Sequence, residues 1–211
     1  MNKMQNVLIV DGHPLIRAAV VMILEQEQFN VIGEANNGAD ALQLVKSLQP
    51  DLVVLDIAIS KPDGLEVIRR IRKLELSVKI LILTSLPAAL YANRCHMLGA
   101  VGFISNLDEP TELRKALAIV MSGYTVFPVL EADSVNHSFL DAPERHLISQ
   151  LSDRELVILR QLAQGMSNLE IGKAMILSNK TISAHKKRIM TKLKVRSQVA
   201  LAELAKQHNL L

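Results

Sequence analysis

Along residues 1–123, short apolar runs alternate with longer stretches in which apolar residues recur every three or four positions. The runs are NVLIV at 6–10, residues 31–35, LVVLD at 52–56, KILILT at 79–84 and residues 101–104. The amphipathic stretches are 14–25, 39–48, 64–74, 88–98 and 110–122. Strands that are apolar throughout, separated by amphipathic helices, predict a parallel sheet covered on both faces. Five such units in sequence predict a doubly wound α/β domain. Pro110 suits the first turn of the fifth helix, with Asp108 and Glu109 beside its positive end.

The pattern breaks after Gly123. Residues 124–146 show no clear period, carry prolines and acids, and read as a linker with little structure of its own. Such a length exceeds an ordinary loop and marks a domain boundary. Residues 147–211 predict a small all-α domain of four helices. Ser152 with Glu155, and Ser167 with Glu170, have the spacing of capping boxes, and Gly165 suits the intervening helix end. A third helix is expected from 178 to 193 and a fourth from 198 to 207.

Charge sharpens this division. Residues 1–123 hold 12 Lys and Arg against 13 Asp and Glu, and residues 124–146 hold 1 against 4. Residues 147–211 hold 11 against 4, a net charge of +7 in a chain whose total is +3. A small basic domain is the footprint of a polyanionic partner. No apolar run approaches the ~20 residues of a membrane helix, so no membrane partner is expected. The first apolar run ends at an acid and reads as a strand rather than a signal peptide. A single cysteine, Cys95, rules out an internal disulfide framework and fits a reducing cytoplasm.

In a doubly wound sheet, ligands sit beyond the C-terminal strand ends. Asp11 ends the first strand, Asp56 the third and Thr84 the fourth. Two carboxylates together there suit a hard divalent cation such as Mg²⁺. A carboxylate is also a nucleophile toward a phosphoryl group, whose oxygens a threonine hydroxyl then bonds.

The segments LIVDxHP, LVVLDIxIxxxDGLEVIRRIR, ILILTS and LGAxGFIS resemble a receiver domain. The tail LSDRELVILRQLAQGMSNLEIGKAMILSNKTISAHKKRIMTKL resembles a LuxR-type helix-turn-helix. In that order the two halves resemble response regulators of the NarL/FixJ type, with GYTVFP and LSNKT similar to the BvgA and EvgA group. The resemblance implies a flavodoxin-like sheet of strand order 2-1-3-4-5, followed by a DNA-binding helical domain. It further implies Asp56 as phosphoacceptor, Asp11, Asp56 and the backbone of Ala58 as Mg²⁺ site, and Thr84 and Phe103 as switch residues. Pro62, Asp63 and Gly64 would form the loop before the third helix. A histidine kinase, RNA polymerase and a second copy of the chain are the implied protein partners.

Two positions depart from that pattern. The family has two adjacent acids after the first strand, whereas this chain has Asp11 and Gly12. The family has a lysine after the fifth strand, where this chain has Asn106. The first change removes a charged metal ligand, and the second removes the cation that pairs with a phosphoryl group. Mg²⁺ binding is therefore expected to be weak. Slow phosphorylation at Asp56 and phosphorylation-independent action through dimerisation, a ligand or another regulator both stay open. A phosphatase of the haloacid-dehalogenase type needs a second acid two residues beyond its nucleophile; Ala58 stands there, so no enzyme is expected.

In the third helix of the basic domain, Lys180, Ser183, Ala184 and Lys187 share one face, and Ile182, Ile189 and Leu193 share another. Thr181 is small and polar, and Lys186 and Arg188 add positive charge. A recognition helix places such residues in the major groove. By resemblance, Ser183, Ala184 and Lys187 face bases, while Lys180 and Lys186 touch phosphates. The last helix carries Val199, Ala202 and Ala205 as an expected stripe, with Leu201 and Leu204 beside it. In the family this helix dimerises the DNA-binding domains; ordinary core is the other reading.

Overall fold

The computed structural model of the chain describes residues 4–106, 108–128 and 142–210. The chain divides at Pro128 into two compact units.

The first unit is built from β1 (Asn6–Val10), α1 (Pro14–Gln26), β2 (Asn30–Ala35), α2 (Gly38–Leu48), β3 (Leu52–Leu55), α3 (Gly64–Lys73), β4 (Lys79–Thr84), α4 (Ala88–Met97), β5 (Gly102–Ser105) and α5 (Pro110–Met121). All strand pairs are parallel, in the order β2-β1-β3-β4-β5, the order that the resemblance implied. Alternate strand residues serve the two faces. Val7, Ile9, Leu52, Val54, Leu81 and Leu83 pack with Val20 and Leu24 of α1 and Leu113, Leu117 and Val120 of α5. Leu8, Val10, Val53, Leu55, Ile80 and Ile82 are buried at the intervening positions, and α2 to α4 contribute Val45, Ile68, Ile71 and Tyr91. Each such aliphatic side chain stabilises the fold by about 1.5–3 kcal/mol.

Long cations secure the ends of elements away from the C-terminal strand edge. Lys79 Nζ donates to the carbonyls of Val120 (2.8 Å) and Met121 (3.2 Å) in the last turn of α5. Arg72 donates to the carbonyls of Val78 (2.7 Å) and Gly99 (2.6 Å). The opposite edge, where β1, β3 and β4 end, is left for polar side chains.

The second unit contains α6 (Ala142–Ser149), α7 (Asp153–Ala163), α8 (Asn168–Met175), α9 (Asn179–Lys192) and α10 (Gln198–Gln207). Both capping boxes are formed: Ser152 and Glu155 close α7, and Ser167 and Glu170 close α8. Burial acts to raise the Glu155 pKa, but hydrogen bonds from Lys192 and Ser152 outweigh it and hold the carboxyl below its usual value. The Lys192–Glu155 contact is 2.7 Å, so the cap of α7 also ties down the end of α9.

Parts of the segment expected to be a linker with little structure of its own are packed in place. Val126 bridges Gly102, receiving the Phe103 N–H at 2.8 Å and donating to Val101 at 3.0 Å. Phe127 meets the His96 ring edge-on, 4.9 Å between centroids. At the other end, α6 forms and its Glu144 reaches His208 at 3.2 Å. These pairings join distant positions, which a local period does not reveal. Residues 129–141 of that segment lie outside the described residues.

The stripe expected on α10 is also redistributed. Leu201, Leu204 and Ala205 form its buried face, whereas Val199 is 76% exposed. None of the described helices is long and apolar enough to cross a membrane.

Gly172 fixes the turn between α8 and α9. Its position would place a Cβ 2.6 Å from the Leu177 carbonyl oxygen, and Leu177 in turn donates its N–H to Gly172 at 2.8 Å. Gly172→Ala gains about 1 kcal/mol of helix propensity. The backbone clash outweighs this, for a net loss of about 1–3 kcal/mol. Hydrogen exchange across α8 and α9 should accelerate accordingly; unchanged protection would contradict the packing described.

Candidate functional site

Three strands deliver their last residues to one edge of the sheet. Asp11 follows β1 and anchors there through its N–H to Ala35 (3.1 Å). Asp56 follows β3 and anchors through its N–H to Val10 (2.8 Å). Thr84 is the last residue of β4. All three are buried, at 3%, 4% and 0% exposure. Parallel pairing brings together what the chain separates by 28 to 73 positions.

One oxygen of the Asp56 carboxylate meets two donors. This Oδ1 accepts the Thr84 hydroxyl at 2.6 Å and the Ala58 N–H at 2.8 Å. The first is a short, charge-assisted bond of the stronger kind. The Thr84 Oγ1 itself accepts the Leu86 N–H at 3.4 Å. Asn106 joins the same edge by donating its N–H to the Thr84 carbonyl at 3.0 Å. Its side-chain Oδ1 is buried and has no hydrogen-bond partner among the described residues. Phe103, on the neighbouring strand, is buried at 4% exposure.

One residue at this edge was missed in the sequence. The Asp11 Oδ1 accepts the His13 N–H at 2.7 Å, and the His13 Nδ1 lies 3.1 Å from the same oxygen. One ligand atom each from Asp11, His13 and Asp56 falls within 4.8 Å of the others. The signal was available, because His13 stands two positions after Asp11 at the entry to α1. Arg17 frames the pocket from outside, donating to the Asp11 carbonyl at 2.9 Å while paired with Glu34 at 2.9 Å.

This donor set meets Mg²⁺ only in part. Two buried carboxylates suit a hard cation, but Gly12 contributes no side chain and the third donor in the cluster is an imidazole.

The second unit brings its basic residues together on α9. The helix begins at Ser178, whose hydroxyl accepts the Thr181 N–H at 3.0 Å. Ile182 and Ile189 are fully buried and Leu193 nearly so, as the pattern required. Lys180, Ser183, Ala184, Lys187 and Arg188 are exposed, and Thr181 and Lys186 are half-buried. Lys186 is tied to Gln198 of α10 at 2.5 Å. A shallow groove of about 410 Å³ runs beside this face, between Ser183, Lys187, Met190, Thr191 and Arg196. His185 adds no charge near neutral pH, since burial, with Arg188 and Arg154 nearby, holds its pKa below the usual 6.5. The positive surface is therefore made by lysine and arginine.

Restoring the missing acid should restore a hard-metal site. A Cβ at Gly12 would meet only the Asn36 carbonyl oxygen, 4.0 Å away, so Gly12→Asp fits without strain. Mg²⁺ affinity, measured by calorimetry, should rise roughly tenfold or more with the added ligand charge. Equal affinity in the variant and the natural chain would show that Gly12 is not the deficit.

The comparisons with known proteins agree with both halves. The model of the response regulator receiver domain matches residues 7–118, and that of the luxR family of bacterial regulatory proteins matches residues 149–205. BvgA of Bordetella pertussis, a transcription regulator of virulence factors, is 47% identical over 204 residues, covering 97% of this chain and 98% of BvgA. The DNA-binding transcriptional activator EvgA of Escherichia coli is 30% identical, over 97% of this chain and 99% of its own. Among solved structures, RcsB of Salmonella enterica serovar Typhimurium bound to a promoter has a TM-score of 0.73. It is 29% identical, with coverage of 97% of this chain and 100% of that one. The chain belongs to the NarL/FixJ family of response regulators, with a receiver domain followed by a LuxR-type DNA-binding domain.

Proposed function

We propose that this protein regulates transcription in the cytoplasm by binding double-stranded DNA as a homodimer, through α9, under a receiver that accepts phosphoryl groups poorly. The observation that carries the DNA reading is the exposed basic face of α9 on a correctly capped helix-turn-helix. Ser183, Ala184 and Lys187 are assigned to bases, and Lys180, Thr181, Lys186 and Arg188 to the phosphate backbone. Phosphate contacts position the protein and base contacts specify the site. The solved RcsB relative bound to a promoter supports this mode of engagement. RNA polymerase is the partner that such a regulator addresses. The receiver extends to about residue 123 and the DNA-binding domain begins near 147.

In the receiver, Asp56 is the assigned phosphoacceptor, with Thr84 and Phe103 as the residues that respond. The 2.6 Å hydrogen bond from Thr84 to the Asp56 carboxylate supports the pairing. A phosphoryl group on Asp56 would take that hydroxyl for its own oxygens. Asp11, Asp56 and the Ala58 backbone are the assigned Mg²⁺ ligands. With Gly12 and Asn106 in place of an acid and a lysine, both the cation and the incoming dianion are held weakly. A histidine kinase is the donor for such phosphorylation as occurs.

The test uses a DNA fragment selected from random sequence by the full chain. Log K should fall by about 0.9 per phosphate neutralised as log salt rises, giving a slope steeper than about −2. Lys187→Ala should cost about 1–3 kcal/mol on the selected site and relax its specificity, whereas Lys180→Ala should weaken all DNA alike and shallow the slope by about 1. Failure to select any sequence, or a slope near zero, would refute the reading.

A further inference from the structure

We propose that Asp11, His13 and Asp56 form a binding site for a first-row transition-metal ion of the zinc type, which this pocket takes in preference to Mg²⁺. The proposal rests on reading the strand edge as the receiver's acidic pocket. It goes beyond that reading in the identity of the third ligand and of the metal.

Two carboxylates buried to 3% and 4% exposure carry like charges into one pocket. Buried charges are stable when paired with or bound to a cation. Which cation depends on the remaining donors. Mg²⁺ demands near-octahedral oxygen ligation and keeps several waters. Imidazole selects zinc, copper, nickel or iron instead. Here the third donor is the His13 imidazole, whose Nδ1 lies 3.1 Å from the Asp11 Oδ1 and which offers a ring nitrogen to one cluster with an Asp56 oxygen.

The distances come close to those of direct ligation. Zinc bonds imidazole nitrogen and carboxylate oxygen at about 2.0–2.2 Å, so two ligands of one ion lie no more than about 4.4 Å apart. One ligand atom from each of the three residues lies within 4.8 Å of the others, so the longest of these spacings must shorten for all three to share one ion. The His13 side chain is 73% exposed and makes no capping bond to α1, so releasing its 3.1 Å contact to Asp11 lets the ring turn toward a shared ion. The Asp11 carboxylate is aimed by the His13 N–H at 2.7 Å, which leaves its backbone contact intact when an ion replaces the ring's hydrogen bond. Three protein ligands leave a fourth tetrahedral position for water. Gly12 keeps that side open, with only the Asn36 carbonyl within 4.0 Å of its Cβ direction. The site lies one hydrogen bond from Thr84, through Asp56.

The full-length, metal-free chain should be titrated with Zn²⁺ against a competing chelator, with millimolar Mg²⁺ present throughout. Co²⁺ should serve as a spectroscopic substitute. One equivalent of Zn²⁺ should bind despite the Mg²⁺, and Co²⁺ should give the visible absorption of a four-coordinate site. His13→Gln should weaken Zn²⁺ by at least the 10–100-fold typical of losing even an outer ligand contact, and abolish the Co²⁺ band. His146→Gln, which alters an exposed imidazole outside the pocket, should change neither. Equal Zn²⁺ affinity in the natural chain and His13→Gln, or displacement of Zn²⁺ by the Mg²⁺ present, would overturn the proposal. Binding of the selected DNA by the metal-free chain separates the two readings: retained DNA binding without zinc ligation would sink this inference alone.

Discussion

The receiver depends on keeping two carboxylates, Asp11 and Asp56, buried beside each other at one edge of a parallel sheet. Water is largely withdrawn from both, so the backbone and neighbouring side chains must take its place. Asp56 receives a hydroxyl and an N–H on one oxygen, and Asp11 receives its contacts from His13. The sheet makes this arrangement unavoidable. Pairing of β1 with β3 and of β3 with β4 fixes where each strand stops, and apolar residues on both faces fix the register. Any change of occupant on Asp56, whether a phosphoryl group or a cation, therefore competes for the Thr84 hydroxyl.

The second unit solves a different problem, that of holding many like charges on one exposed helix. Its stability comes from the opposite face of α9 and from caps. Ile182, Ile189 and Leu193 anchor the helix, and Lys192 closes onto the Glu155 of the neighbouring capping box. That cap has a pH sense. The depressed Glu155 pKa means its stabilisation is present above the ordinary carboxylate range and is lost as pH falls through the folded value. Near neutrality the anchor is intact, and Lys180, Lys187 and Arg188 of α9 are exposed to an anionic partner.

Much of this was legible in the sequence. The five strands were announced by continuous apolar runs, the helices by their period and the starts of α7 and α8 by Ser-x-x-Glu spacing. Asp11, Asp56 and Thr84 could be placed at one edge because a doubly wound topology puts all strand ends there. What escaped depends on partners far along the chain. Val126 is ordered by β5, and α6 is tied through Glu144 to His208, 64 positions away. The α10 stripe was assigned to Val199, Ala202 and Ala205, with Leu201 and Leu204 beside it; contact with the core keeps Ala205 and both leucines inward and leaves Val199 exposed. His13 was passed over because a histidine at a helix entry has many ordinary uses; only its distance from Asp11 and Asp56 marks it out.

The central claim is that this receiver has moved away from Mg²⁺-dependent phosphoryl transfer while its DNA-binding half is intact. Intact mass after incubation with acetyl phosphate and Mg²⁺, beside Asp56→Asn, tests it most directly. The account predicts little or no phosphoryl-sized gain in the natural chain and none in the variant. Rapid, near-complete gain in the natural chain, lost in Asp56→Asn, would contradict it and show that Gly12 and Asn106 leave the pocket competent.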